Sequence, residues 1–189
     1  MPFSQFVIKN TRRYGKGVFA GRAFASGDVI HVLSGDTMGI AEFIRRVNGS
    51  SEGIDDPLQV GKRTYIDLDE FSRTFNHSCD PSAGLRKRSE LFALRDIRTG
   101  EEITYDYSLT IAPTDWKMRC ACGSPSCRTM IGDILSVPRV QRMKYRKRGA
   151  MQTYMRHIVD MIESGHPYMV PAYEKRLLAG LSRTSNVDV

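Results

Sequence analysis

Four cysteines constrain this chain more than any other feature of its sequence. Cys120, Cys122 and Cys127 share the run RCACGSPSC, while Cys79 stands alone in RTFNHSCDPS. The cluster reads C-x-C-x4-C, with Gly123, Ser124 and Pro125 supplying the turn between its second and third cysteines. Structural zinc sites take four ligands at the corners of a tetrahedron, and thiolates suit the ion. Three local sulfurs leave one corner open. Cys79 can fill it, which would use every cysteine and staple two distant segments together. A histidine as the fourth ligand, or a set of free or redox-paired thiols, remains open at this point.

A chain of 189 residues with 41% hydrophobic content can bury one core, so one domain with appendages is expected. Its formal net charge of +7 suits an acidic surface, nucleic acid or a cytosol-facing membrane. No run of about eighteen apolar residues exists, so no membrane span is expected. The opening residues MPFSQFVIKNTRRYGKG lack an apolar signal region and read as a strand entering a loop. The expected location is intracellular, cytoplasmic rather than nuclear. In a reducing compartment clustered cysteines serve metals more often than disulfides.

The chain reads as short strands more than long helices. QFVIKNT, GKGVFAGRAF and DVIHVLSG mix β-branched and aromatic residues between glycine turns. MGIAEFIRRVNG sets Ile40, Phe43, Ile44 and Val47 at helical spacing and stops at Asn48-Gly49. LQVGKRTYIDL reads as a hairpin, with further strands at ELFALRDI and EEITYDYS. Beyond Cys127 the character changes. RVQRMKYRKRG is basic, and Met151, Tyr154, Met155, Ile158 and Ile162 form a helical stripe suited to packing on the core or on a second chain. A second short helix is expected to open at Pro171, with a frayed end at SRTSNVDV.

RTFNHSCDPS, GEEITYDYS and CACGSPSC, in that order, resemble the signature of SET-domain protein lysine methyltransferases with a post-SET zinc motif. RRYGKGVFAGR resembles the family's N-terminal Gly-x-Gly loop. The likeness covers roughly residues 5–132. It implies a fold that is mainly β with α: small twisted sheets around a knot-like crossing, a post-SET zinc segment and C-terminal helices. That topology is not derivable from periodicity. The implied parts are a SET domain over 1–117, the zinc segment over 118–132 and a basic helical extension over 133–189. Met1 lies close ahead of Gly15, which leaves no room for a cysteine-rich pre-SET segment, and the NGSSEGIDDPLQVGKRTYIDLDEFS connection is short. Both features resemble small bacterial members and weigh against a histone substrate.

The resemblance implies residue roles. Cys79 joins Cys120, Cys122 and Cys127 on one Zn²⁺, folding the C-terminal segment over the active site. S-adenosyl-L-methionine is the implied cofactor and a lysine-bearing protein or peptide the implied substrate. Tyr107 orients the amine and the methyl group. Tyr105, on the same side of an extended segment, matches the Tyr/Phe position that limits how many methyls fit, so mainly mono-methylation is expected. Asn76 and His77 hold the cofactor through a side-chain amide and backbone contacts. Arg73 pairs with its carboxylate or with an acidic neighbour. Lys16, Gly17 and Val18 offer backbone groups, and Met130 or Ile131 caps the adenine. YDY could equally be core packing, and His77 a buried hydrogen-bonding histidine. The alternative function is a catalytically silent SET module binding a peptide or nucleic acid. Arg139, Arg142, Lys144, Arg146, Lys147 and Arg148 could hold phosphates or an acidic partner, or form a solvated helix face.

Overall fold

Runs this short, broken by glycine turns, cannot make one large sheet. In a computed structural model, residues 5–49, 57–114, 116–166 and 168 are described. They form small antiparallel sheets. β1 (Phe6–Asn10) pairs with β2 (Lys16–Ala20), Ile8 lying opposite Val18. β3 (Val29–Val32), β7 (Ala83–Arg86) and β8 (Glu90–Ala93) form a second sheet in the order β3-β8-β7. β4 (Gly35–Gly39), β5 (Pro57–Gly61) and β6 (Thr64–Leu68) form a third, ordered β4-β6-β5. The last pair is β9 (Lys117–Arg119) with β10 (Met130–Gly132), which flanks the cysteine loop.

α1 (Ile40–Gly49) lies where the apolar spacing placed it. Ile40 and Phe43 are buried, and the Phe43 ring stacks on Tyr65 with centroids 4.2 Å apart. The Ile44 and Val47 side chains and the expected helix at Pro171 lie outside the described residues. α2 (Arg139–Lys147) and α3 (Thr153–Glu163) follow the cysteine hairpin. Met151, Met155 and Ile158 are buried in one apolar cluster with Phe92, Leu109 and Ile134. The methionine stripe therefore packs on the core of its own chain. Among the described residues no helix is long and apolar enough to cross a membrane.

The crossing of the chain lies at residues 101–106. On one side Ile103 donates to the Val18 carbonyl (2.9 Å), and on the other Tyr105 donates to Asn76 O (3.1 Å). Ser78 returns a bond to Tyr105 O (3.2 Å), and His77 and Tyr105 pair in parallel. The extended strand expected over EEITYDYS is thus a set of isolated bridges that changes partner every few residues. It ends at Asp106, whose carboxylate accepts from Ser108 N (3.1 Å) and caps a 3-10 helix over Tyr107–Thr110. Val18, Phe24, Phe75, Leu91 and Ile103 form the core behind this crossing.

Candidate active site and metal centre

The fold brings the lone cysteine to the other three. The four Sγ atoms lie within 4.8 Å of one another, with Cys79–Cys120 at 3.8 Å and Cys127–Cys120 at 3.7 Å. A regular tetrahedron with ~2.3 Å metal–sulfur bonds has edges of about 3.8 Å. All four cysteines are free, so the spacing is that of ligands around a metal ion and not of disulfides. Burial pushes the Cys120 thiol up to about 12 and raises that of Cys79. Burial also works on Cys122, yet backbone hydrogen bonds at Cys79 and Ser124 hold it down at about 7. A cation bound there would supply the charge that makes all four thiolates together.

Donors surround these sulfurs. Cys79 Sγ faces the Arg128 N–H and Nε–H, each at 3.4 Å, and His77 Nε2 at 3.3 Å. Arg128 Nη2 reaches Asp106 Oδ1 at 2.6 Å, an ion pair whose carboxylate is almost fully buried. Burial raises the Asp106 carboxyl, against the Arg128 guanidinium and the Ser108 amide, which favour the carboxylate. His77 Nδ1 accepts from Tyr107 N at 3.2 Å. Burial, with the Arg128 charge beside it, lowers the imidazole to about 3, so His77 is neutral. On the far side of the loop Tyr14 OH accepts from Ala121 N (2.8 Å) and lies 3.6 Å from Cys120 Sγ. Arg13 Nη1 donates to Cys122 O at 2.5 Å, with its guanidinium over Gly123. Gly123 has φ +68°, and a side chain there would overlap Arg13.

Tyr105 and Tyr107 come together although their segment is not a regular strand. Their ring centroids are 4.9 Å apart, and Tyr107 OH donates to Phe75 O at 2.8 Å. Tyr105 is buried and Tyr107 half-buried. A cleft of about 340 Å³ opens nearby, with Thr11, Tyr14, His77, Ser78, Glu102 and Cys122 among its walls. Asn76 Nδ2 stands behind it, donating to Lys16 O (3.0 Å) and Glu102 Oε1 (2.8 Å). Gly17 makes that approach possible: a Cβ there would meet Glu102 Oε1 at 2.5 Å, Asn76 Nδ2 at 2.7 Å and Thr11 Cγ2 at 2.7 Å.

Residues 15–108 match the family model described as the SET domain. The chain carries a SET domain. It is 36% identical over 137 residues to the variant-silencing SET domain-containing protein of Plasmodium falciparum, a match covering 64% of this chain and 5% of that protein. It is 27% identical over 154 residues to an H3 lysine-36 specific histone-lysine N-methyltransferase of Aspergillus oryzae, covering 75% of this chain and 16% of that one. A further relative, histone-lysine N-methyltransferase set1 of Dictyostelium discoideum, is 45% identical over 81 residues, covering 38% and 5%. These proteins are eukaryotic, and the chain spans a small part of each. Among solved structures, the methyltransferase domain of human histone-lysine N-methyltransferase SETMAR superposes with TM-score 0.55 at 24% identity, covering 68% of this chain and 58% of that one. KRYPTONITE in complex with mCHG DNA and SAH gives TM-score 0.55 at 20% identity, covering 69% and 29%. Both likenesses show the fold.

Within this SET domain the expected site residues separate into two groups. Asn76, His77, Tyr105, Tyr107 and the four cysteines converge on the crossing. Arg73 does not line the cleft; it donates to Leu68 O through Nε (2.9 Å) and pairs with Asp67 at 3.2 Å, the acidic-neighbour option. Lys16 meets Asn76 through its carbonyl, and Val18 is buried in the core. Ile131 is fully buried against Cys79 and Cys120. Met130 is half-exposed and lines a second cleft with Trp116 and Lys117, away from the first. Tyr14, Glu102, Asp106 and Arg128 were not among the expected residues. Arg128 directly follows the last cysteine, and the fold sets its amide 3.4 Å from Cys79 Sγ.

Two carboxylates of α3 pair with three of the six cations in the basic run. Arg139 and Arg142 pair with Glu163 at 2.7 and 3.0 Å, and Arg146 pairs with Asp160 at 2.5 Å. Arg142 is buried, and Arg148 donates to Leu94 O. Lys144 and Lys147 are the members of the run whose side chains make no ion pair or hydrogen bond among the described residues.

Proposed function

We propose that this chain is a protein-lysine N-methyltransferase that takes its methyl group from S-adenosyl-L-methionine. The observation that carries the reading is the tyrosine pair. Two rings stand 4.9 Å apart at the chain crossing, the Tyr107 hydroxyl is anchored on Phe75 O, and a cleft opens beside His77 and Ser78. Support comes from the names of the relatives, several of which are histone-lysine methyltransferases. The first substrate class to test is therefore a lysine in a histone tail, against the expectation drawn from the short flanking segments.

When bound, S-adenosyl-L-methionine supplies a methyl carbon activated by its sulfonium. The residues able to hold it are those around the cleft: Asn76, with its amide beside Lys16 O and Glu102; the backbone of His77 and Ser78; and the loop from Thr11 to Gly17. The remaining task is to present a neutral, aligned amine. With an ordinary pKa of ~10.4, about one lysine in 2,500 is neutral at pH 7. Burial of the amine against the Tyr105 and Tyr107 rings would favour that form by desolvation. The Tyr107 hydroxyl, already fixed on a backbone carbonyl, orients the amine, and orientation supplies most of the rate. A buried Tyr105 hydroxyl at the amine takes the space an added methyl needs, so the product is mainly mono-methyl-lysine.

Zn²⁺ is the metal proposed for the four thiolates, in a closed site with a structural role. It fixes the β9–β10 hairpin over the cleft as a post-SET segment over 118–132, between the SET domain over 1–117 and the helical extension over 133–189. Thiolates of this kind persist in a reducing, intracellular setting. Calorimetry with S-adenosyl-L-methionine, followed by methyl transfer to histones and a peptide array, tests the reading. Cofactor binding with transfer is expected; binding with no transfer to any histone or peptide would favour the silent module.

A further inference from the structure

Tyr107 is attached twice to one short segment. Its hydroxyl donates to Phe75 O at 2.8 Å, and its N–H donates to His77 Nδ1 at 3.2 Å. Nδ1 accepts the Tyr107 N–H, and a ring nitrogen that accepts cannot also carry a proton. The proton therefore sits on Nε2, which lies 3.3 Å from Cys79 Sγ. His77 is 3% exposed and its Nδ1 also lies 3.6 Å from Asp106 Oδ1, so its ring is held by these three partners and the packing around it. A second route joins the same sulfur to the same turn. Arg128 donates to Cys79 Sγ through N and Nε, and its Nη2 reaches Asp106 Oδ1 at 2.6 Å. That oxygen accepts from Ser108 N at 3.1 Å and caps the 3-10 helix that Tyr107 opens.

We propose that the His77 side chain is a positioning residue that couples the metal centre to Tyr107, bridging the Tyr107 backbone to the Cys79 sulfur, with Arg128–Asp106 as a parallel strut. A sulfur fixed by the metal holds the imidazole in one orientation, and the imidazole holds the Tyr107 N–H. A sulfur released from the metal is free to rotate with its side chain, and both struts lose their anchor. The metal then does more than pin the β9–β10 hairpin: it sets where the Tyr107 ring stands. Partners beside a metal ligand commonly matter nearly as much as the ligands themselves. The consequence for methyl transfer rests on the lysine-methyltransferase reading; the coupling does not.

The test uses the full chain with 3-fluorotyrosine at position 107, observed by ¹⁹F NMR with zinc bound and after removal by a chelator. In the wild type, metal removal should shift the resonance by more than its width. His77→Asn leaves an acceptor near the Tyr107 N–H but no reach to Cys79, and should cut that shift at least about threefold. S-adenosyl-L-methionine affinity should stay within about threefold, while kcat falls about tenfold at similar KM, as expected for misplacement of an orienting group. A His77→Asn protein whose fluorine signal answers to metal as the wild type does would overturn the coupling. Should that variant fail to fold, long-range ¹H–¹⁵N spectra of the wild type decide. The Nε2–H tautomer of His77 supports the bridge, and an Nδ1–H or doubly protonated ring overturns it. A wild type with a full fluorine response and no methyl transfer would sink the enzymatic reading alone. Methyl transfer with no fluorine response would sink the coupling alone.

Discussion

Gly17→Ala should be among the most damaging single-methyl additions in the molecule. The new Cβ would stand 2.5 Å from Glu102 Oε1, 2.7 Å from Asn76 Nδ2 and 2.7 Å from Thr11 Cγ2, each closer than carbon tolerates. The first two atoms are hydrogen-bonded to each other at 2.8 Å, and Asn76 is also held on Lys16 O at 3.0 Å. Relief therefore means losing one or two hydrogen bonds, at about 1 kcal/mol each. Overpacking adds about 1–3 kcal/mol. The sum is about 2–5 kcal/mol, enough to lower the melting temperature by roughly 4–20 °C without abolishing the fold. Cofactor affinity should fall as well, because Glu102, which lines the cleft and holds Asn76 behind it, is displaced. Urea unfolding and calorimetry read the two effects. Gly17→Ala combined with Glu102→Ala should recover part of the loss relative to additivity, since one obstructing atom has gone. A Gly17→Ala protein with the wild-type urea midpoint and cofactor affinity would refute the packing argument.

Three further outcomes are expected. Metal analysis of active protein should find one zinc per chain, and Cys79→Ser should loosen the β9–β10 hairpin to proteolysis as severely as Cys122→Ser; zinc-free active protein would contradict this. Tyr14→Phe removes the hydroxyl that accepts from Ala121 N at 2.8 Å and meets Cys120 Sγ at 3.6 Å. Zinc should then pass to a chromogenic chelator about tenfold faster, and an unchanged rate would show that the phenol ring alone matters. Tyr105→Phe should shift products toward di- and trimethyl-lysine with the first transfer nearly unchanged, since the lost hydrogen bond is worth on the order of 1 kcal/mol. Abundant trimethyl-lysine from the wild type would remove Tyr105 as the gate.

The cysteine cluster was legible because four thiols in a 189-residue chain leave few ways to complete a tetrahedron. The hairpin around Gly61 was legible too, from its alternation and its turn. The course of residues 101–108 was not. Its sequence favours a strand, but its partners change from β2 to Asn76 and Ser78, and Asp106 turns it into a 3-10 helix. Arg73 had been assigned to the cofactor or an acidic neighbour. The 3-10 helix over Ser72–Thr74 places it, and it meets Leu68 O and Asp67. Arg128 and Tyr14 gave little signal within a chain holding 28 lysines and arginines and eight tyrosines; only the fold sets them against the sulfurs. The role of the His77 ring depends on a backbone N–H brought from thirty residues away, which no local pattern encodes. The basic run looked like one charged face because the acidic partners on α3 lie beyond the next turn.

The central claim is that Tyr107 orients a lysine amine for methyl transfer. The most direct measurement sets the wild type beside Tyr107→Phe, both zinc-loaded and supplied with S-adenosyl-L-methionine, on histones and on peptides selected by the array, with products read by mass spectrometry. The wild type should yield mono-methyl-lysine. Tyr107→Phe, with its ring still packed and cofactor affinity unchanged, should lose most of the transfer, at least about a hundredfold for a lost orienting group. Equal methylation by both proteins would contradict the account.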